Sequence, residues 1–228
     1  ILTKNYAEPG YISRQSLSYL QNLYLMGKGG GNTVIFYDGV NDVAMRCRSE
    51  SKGIGSDREI QIRNNLIALG GDSRGGFSFN RTFSQLKDFM VLVSNRLFTN
   101  NSAEFYYSCA NSSQRANFVA ETLVNTWIQA QLLAEANGDQ FIAILQPVAF
   151  YKSPNISYLN LNDSNSIQLK KQFEALYPLI IEYASSSDLN FFDLTDIFNG
   201  CNDCYVDFCH VGIQGHKTLA KHVSGLVP

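Results

Sequence analysis

A chain of 228 residues, 45% hydrophobic and 17% charged with a net charge of −2, has the makeup of a globular protein whose core is large enough to stabilise itself. It carries no basic stripe of the kind that grips nucleic acid and no charge run that reads as a solvated tail. Its longest apolar runs, FIAIL and LIIEYA, are far too short for a membrane span. Neither a signal peptide nor an initiator Met stands at Ile1, so the expectation is a trimmed chain or a fragment.

In chain order, ILTKNY reads as a short strand. From Ile12 to Met26, Leu17, Leu20, Leu23 and Tyr24 form a helical stripe. GKGGGN breaks it, and Thr33 to Tyr37 (TVIFY) is an apolar β-rich run of the kind buried in a parallel sheet. DGVND follows as a polar loop at that strand's carboxyl end. Gly53 to Gly76 is glycine-rich and irregular, with a helical turn around Ile60 to Leu66, and Phe83 to Phe98 is helical. The clearest helix is Gln114 to Ala136, with Val119, Leu123, Trp127, Ala130 and Ala134 on one face and Gly138 to stop it. FIAILQPVAF, from Phe141, is a second buried strand. A helix over Ile167 to Ser185, a strand over Asn190 to Leu194 and a helix over Val211 to Leu226 complete the chain. With no internal repeat and no Pro/Ser linker, residues 1–228 read as a single domain. Strands alternating with helices predict an α/β protein, a three-layer α/β/α sandwich around a parallel sheet. Ligands of such sheets sit at the carboxyl ends of the strands, where AEPGYIS, DGVND and the later DFCH would meet.

The three histidines, His210, His216 and His222, all lie in the last 20 residues. His210 stands at a loop-to-helix boundary, where an imidazole can serve as a general base. Asp207, three residues earlier, can hold one ring nitrogen in a tight turn, or be no more than a first-turn helix acid. Asn41, past the end of a buried strand, can donate to a developing oxyanion or simply make a turn. Gly10, in a Pro-Gly turn, can aim its N–H at the same oxyanion or serve only the turn. The five cysteines, Cys47, Cys109, Cys201, Cys204 and Cys209, cannot all pair internally. C-x-x-C followed by C-H can be read as zinc ligands, but no second ligand pair stands elsewhere, and a local disulfide or buried thiols fit better than a metal. Five N-x-S/T sequons, at Asn80, Asn100, Asn111, Asn155 and Asn162, leave the compartment open, with a lean to an exported protein.

Taken together, Gly10 with Ser13 and Gln15 (PGYISRQ), then Gly39 to Asp42 (GVND), then Asp207 to His210 (DFCH) resemble three of the four blocks of the SGNH, or GDSL-type, hydrolases. FIAILQPVAF and HVGIQGHKTLAKHV are similar in character to members of that family, so the likeness covers nearly the whole chain. It implies a flavodoxin-like three-layer fold and a cofactor-free serine esterase or acyl-hydrolase acting on an O-acyl group of a carbohydrate or lipid. His210 would be the base, Asp207 its orienter, and Gly10 and Asn41 the oxyanion donors.

The family's first block, the G-D-S that carries the nucleophile, is not at its expected place. Gly71-Asp72-Ser73 matches it in letters but follows the Asn block, so Ser73 is a candidate in the wrong order. In the family's sheet the first strand lies between those matched here by ILTKNY and TVIFY. Without it these two would stand roughly 9–10 Å apart, beyond the reach of a backbone ladder. The expectation is that a first strand with its serine lies outside the 228 residues, as a separate, cleaved or further N-terminal segment, or else that LIALGGDS fills the slot. Two other functions stay open: a non-catalytic binding or accessory protein on the same fold, and an O-acyltransferase in which a sugar hydroxyl replaces water.

Overall fold

The computed structural model describes residues 2–48, 106–152 and 155–227. Within them, three strands, β1 (Thr33–Asp38), β2 (Gln140–Leu145) and β3 (Phe191–Asp193), pair in parallel in the order β1-β2-β3. Thr33 sits opposite Gln140 and Asp38 opposite Leu145; Ala143 sits opposite Phe191. β2 is central, so both its faces must be covered, and from Phe141 to Leu145 every residue is buried. The expected parallel α/β core is therefore present.

Five α-helices accompany the strands among the described residues: α1 (Ser13–Leu25), α2 (Val40–Arg46), α3 (Ser113–Ala136), α4 (Ser164–Ser185) and α5 (Ile213–Ser224). The alternation of β2 splits the core in two. Phe141, Ala143 and Leu145 join Leu17, Leu20, Trp127, Phe173 and Tyr177 from α1, α3 and α4. Ile142 and Ile144 meet Leu194, with Leu219 and Val223 of α5 packed alongside. Helices thus supply apolar side chains to both faces of the sheet. The α3 stripe is fully buried, and its alanines at 116, 120, 130 and 134 leave room for a close neighbour. Ser112 caps this helix by accepting from the Arg115 N–H, and Gly138 ends it at φ 76.

Two readings of the sequence change. ILTKNY is not a strand: residues 2–8 have no regular structure and are exposed. The alternation in this stretch is too polar to enter the core, and the distance argument that rested on it therefore falls away. DGVND is not a loop throughout: after Asp38 and Gly39 the chain goes directly into α2, which puts Asn41 in a first helical turn. The sequence-stretch helices at 60–66 and 83–98 and the LIALGGDS stretch lie outside the described residues. Two disulfides form, Cys47–Cys109 and Cys201–Cys204, which leaves Cys209 free and buried. The C-x-x-C pair is thus taken up by a local disulfide.

Candidate functional site

The strip from Tyr205 to Val211 is a tight antiparallel loop. Tyr205 bridges Val211, and the Val206 N–H donates to the His210 carbonyl at 2.7 Å. The Asp207 carboxylate fills that loop. Its Oδ1 accepts the backbone N–H groups of Cys209 and His210, at 2.8 and 2.7 Å, and its Oδ2 meets His210 Nδ1 at 2.7 Å. An anionic carboxylate only accepts, so Nδ1 is the donor, and in the neutral imidazole Nε2 carries the lone pair. Burial pushes the Asp207 carboxyl up, but the amides of Cys209 and His210 and the imidazole outweigh it and hold it below the usual range. Asp207 is not a helix cap. α5 starts six residues later, at Ile213, with Gly212 before it. The His210 side chain is 76% exposed, so Nε2 is open to an incoming group.

The other two histidines do not share this arrangement. Both lie exposed on α5, and His222 Nδ1 bonds the Thr218 carbonyl one turn back.

Gly10 and Asn41 are brought together by their neighbours. The Asn41 amide donates to the Tyr11 carbonyl at 2.9 Å, which fixes it beside the Pro9-Gly10 turn and leaves its second N–H to spare. Gly10 sits at φ 80, a conformation a side chain would strain. Beneath them lies a clamp that the sequence did not suggest. Asp42 Oδ2 accepts the Ser13 N–H at 2.8 Å and Oδ1 accepts the Ser13 hydroxyl at 2.7 Å. The same oxygen takes the Arg46 Nε at 3.1 Å, one turn along α2. Asp42 thus puts a negative charge on the free N–H groups that start α1 and locks α1 to α2. The signal was the last letter of GVND: a carboxylate in a helix's first turn, with a serine opening another helix.

Between strand and clamp stands Asp38, half-buried, with the Trp127 indole N–H at 3.2 Å and the Ser16 hydroxyl at 3.4 Å. Burial drives its carboxyl up to about 7, the Asp42 charge adds to this, and the two hydrogen bonds oppose it.

The carboxyl end of β2 joins the two halves. The Ala149 N–H donates to the Phe208 carbonyl at 2.8 Å, and the Phe150 and Phe208 rings stack at 5.3 Å. The Cys209 thiol is near enough to the Tyr37 phenol, at the end of β1, for each charge state to matter: burial first, then Cys209, raises the phenol. Burial and the Asp207 charge push the Cys209 thiol itself up to about 12, so it stays a neutral wall group. Asp207, Cys209 and His210 lie close enough for a metal to be considered. Asp207 is already spent on three hydrogen bonds, and Cys209 is buried, so the carboxylate is taken up by the loop and the imidazole rather than left open.

The structure therefore makes two pairs, Asp207 with His210 and Gly10/Tyr11 with Asn41, and no hydrogen bond joins one pair to the other among the described residues. Ser73 lies outside the described residues. What these features define is an α/β protein with a carboxylate-oriented imidazole past the last strand of a parallel sheet. Comparison with protein-family models, with curated proteins and with solved structures finds no match for this chain.

Proposed function

We propose that this chain is a serine ester hydrolase domain of the SGNH type. The observation that carries the reading is the three-pronged grip of Asp207 on His210, which fixes one tautomer and leaves Nε2 as a base. In the proposed reaction Nε2 takes the proton of a serine hydroxyl as Oγ attacks the acyl carbon. The Gly10 N–H and the spare Asn41 N–H stabilise the oxyanion. The imidazolium returns its proton to the leaving alcohol, and water, activated by the same nitrogen, releases the acid from the acyl-enzyme. A sugar hydroxyl in the place of that water would make the enzyme an acyltransferase. The scheme uses no metal or cofactor.

The test is labelling with a fluorophosphonate probe followed by peptide mapping. A label on a serine, lost in His210→Ala, supports the hydrolase. Its position decides between Ser73 and a serine outside residues 1–228. No label on active-folded protein favours the accessory reading, a binding protein on the same fold. His210→Ala is expected to lower ester turnover by about 10³-fold or more, and His216→Ala to change it little. Equal losses from both would remove DFCH from the site.

A further inference from the structure

The carboxyl end of β2 opens into a cavity of about 460 Å³, within the ~300–1,000 Å³ range of small-molecule sites. Its walls include Phe150, Tyr151, Lys152, Ile156, Lys170 and Glu174. We propose that this cavity is a subsite for the sugar portion of a neutral glycan ester; the proposal rests on the esterase reading only in naming the bound molecule an ester.

Position argues first. The cavity wall is fastened to the His210 loop by the Ala149–Phe208 hydrogen bond and by the stack of Phe150 on Phe208, two residues before the imidazole. This places the cavity wall against the loop that carries His210.

Charge argues second. Lys152 Nζ is bonded to Asp193 Oδ2, at the end of β3, at 2.8 Å, and Lys170 Nζ lies 3.8 Å from Glu174 Oε1. Each cation is matched by an anion, so the wall has no surplus charge to hold an acidic ligand. What it offers instead is a set of donors and acceptors beside aromatic carbon: two ammonium groups, the Glu174 carboxylate and the Tyr151 ring, with Lys152 Nζ 5.7 Å from that ring's centre and bonded to the Asp193 carboxylate. Sugar hydroxyls are both donors and acceptors, and their C–H faces lie well on aromatic rings. They can replace the water on these ion pairs group for group. An alkyl chain cannot: it would strip water from two ion pairs and return nothing. The wall therefore favours a glycan over a lipid.

The backbone argues third. Lys152 sits at φ 59, the only non-glycine residue in the left-handed region among the described residues. A lysine held there is strained, and strain of this kind gathers at ligand sites. The salt bridge to Asp193 is what holds its head in the wall.

The test is calorimetric titration of the protein with xylohexaose, a neutral oligosaccharide, beside hexagalacturonate and dodecanoate. Xylohexaose is expected to bind, and to bind about tenfold more weakly to Lys152→Gly, which suits the local backbone and removes the amine. Lys170→Ala, at a half-exposed helix position that cannot unfold the chain, should weaken it also. Binding of dodecanoate or hexagalacturonate without xylohexaose, or xylohexaose binding indifferent to both substitutions, overturns the subsite. The two readings fail separately. A wild-type protein that cleaves p-nitrophenyl acetate but ignores xylohexaose loses the subsite alone. One that binds xylohexaose but cleaves no ester keeps the subsite and loses the esterase.

Discussion

At the scale of the residue, Asp207 does three things with two oxygens, and a substitution can separate them. In Asp207→Asn the side-chain oxygen can still accept the Cys209 and His210 amides, which preserves the turn. The NH₂ group, however, faces Nδ1 as a donor, so the imidazole must hold its proton on Nε2, where it cannot act as base. Ester turnover should fall by about 10³–10⁴-fold with the melting temperature almost unmoved, since the pair is exposed. A stability loss matching the activity loss would mean that the carboxylate only holds the loop. Asp38 works in the opposite sense. Its carboxyl is raised in the fold to about 7, against an ordinary value near 4, so between these pH values the folded protein binds more protons than the unfolded one. Its contribution is complete below pH ~4 and is lost as pH rises to about 7, with a slope of up to ~1.4 kcal/mol per pH unit. Asp38→Asn keeps an acceptor for Trp127 and Ser16 and should flatten that stretch of the stability–pH curve measured by urea unfolding. A curve unchanged by the substitution would mean that Asp38 is charged in the fold.

At the scale of the element, the site depends on two helix starts. α1 and α2 both open beside the candidate oxyanion donors, and Asp42 with Ser13 is what binds one to the other. Asp42 and Arg46 are almost wholly buried, so removing the carboxylate breaks a buried ion pair and takes away the acceptor of the Ser13 N–H and hydroxyl. Asp42→Ala should therefore destabilise the chain by about 3–5 kcal/mol, read as a fall in the unfolding midpoint. Gly39 sets the other boundary. It sits at φ 125, and a Cβ there would stand 2.6 Å from Leu145 Cδ1. Only glycine lets β1 turn into α2 against the end of β2, which is why Asn41 arrives where it does. Much of this was legible in the sequence. FIAIL announced a buried strand because a central parallel strand needs apolar side chains on both faces, while TVIFY announced a strand that lies beside it with only Phe36 buried. The stripe from Val119 to Ala134 announced α3 because its spacing fits one helical face. ILTKNY misled because a short run of mixed residues has no periodicity to separate a strand from exposed coil. DGVND looked like a turn because Asp, Gly and Asn favour turns, while the factor that wins is tertiary: Asp42 satisfies the start of a helix 29 residues away in sequence. The Asp207–His210 pair could be read because it is local, whereas the Lys152–Asp193 bridge, spanning 41 residues, could not.

At the scale of the whole molecule, the two disulfides should differ in weight because they close loops of different size. Cys47–Cys109 joins the end of α2 to the turn before α3 across 62 residues, while Cys201–Cys204 spans only 3. Loop-closure entropy gives about 4 kcal/mol for the first and about 2 kcal/mol for the second. The first also ties together elements that hold the site: Arg115, in the first turn of α3, bonds the carbonyls of Arg46 and Arg48 on either side of Cys47, at 2.7 and 2.8 Å. Losing that cross-link loosens the C-terminal end of α2, and through Asp42 and Asn41 the side that holds the candidate oxyanion donors. The double substitution Cys47→Ser with Cys109→Ser should thus lower both unfolding free energy and ester turnover. Cys201→Ser with Cys204→Ser should lower stability less, and its effect on turnover should come through the strip that ends at His210, since the Gly212 N–H bonds the Cys204 carbonyl. Urea unfolding and turnover measured on the two double variants decide this. A Cys201/Cys204 variant that loses more stability than the Cys47/Cys109 variant would show that enthalpic packing around Cys204, rather than chain entropy, sets the contribution of these bonds.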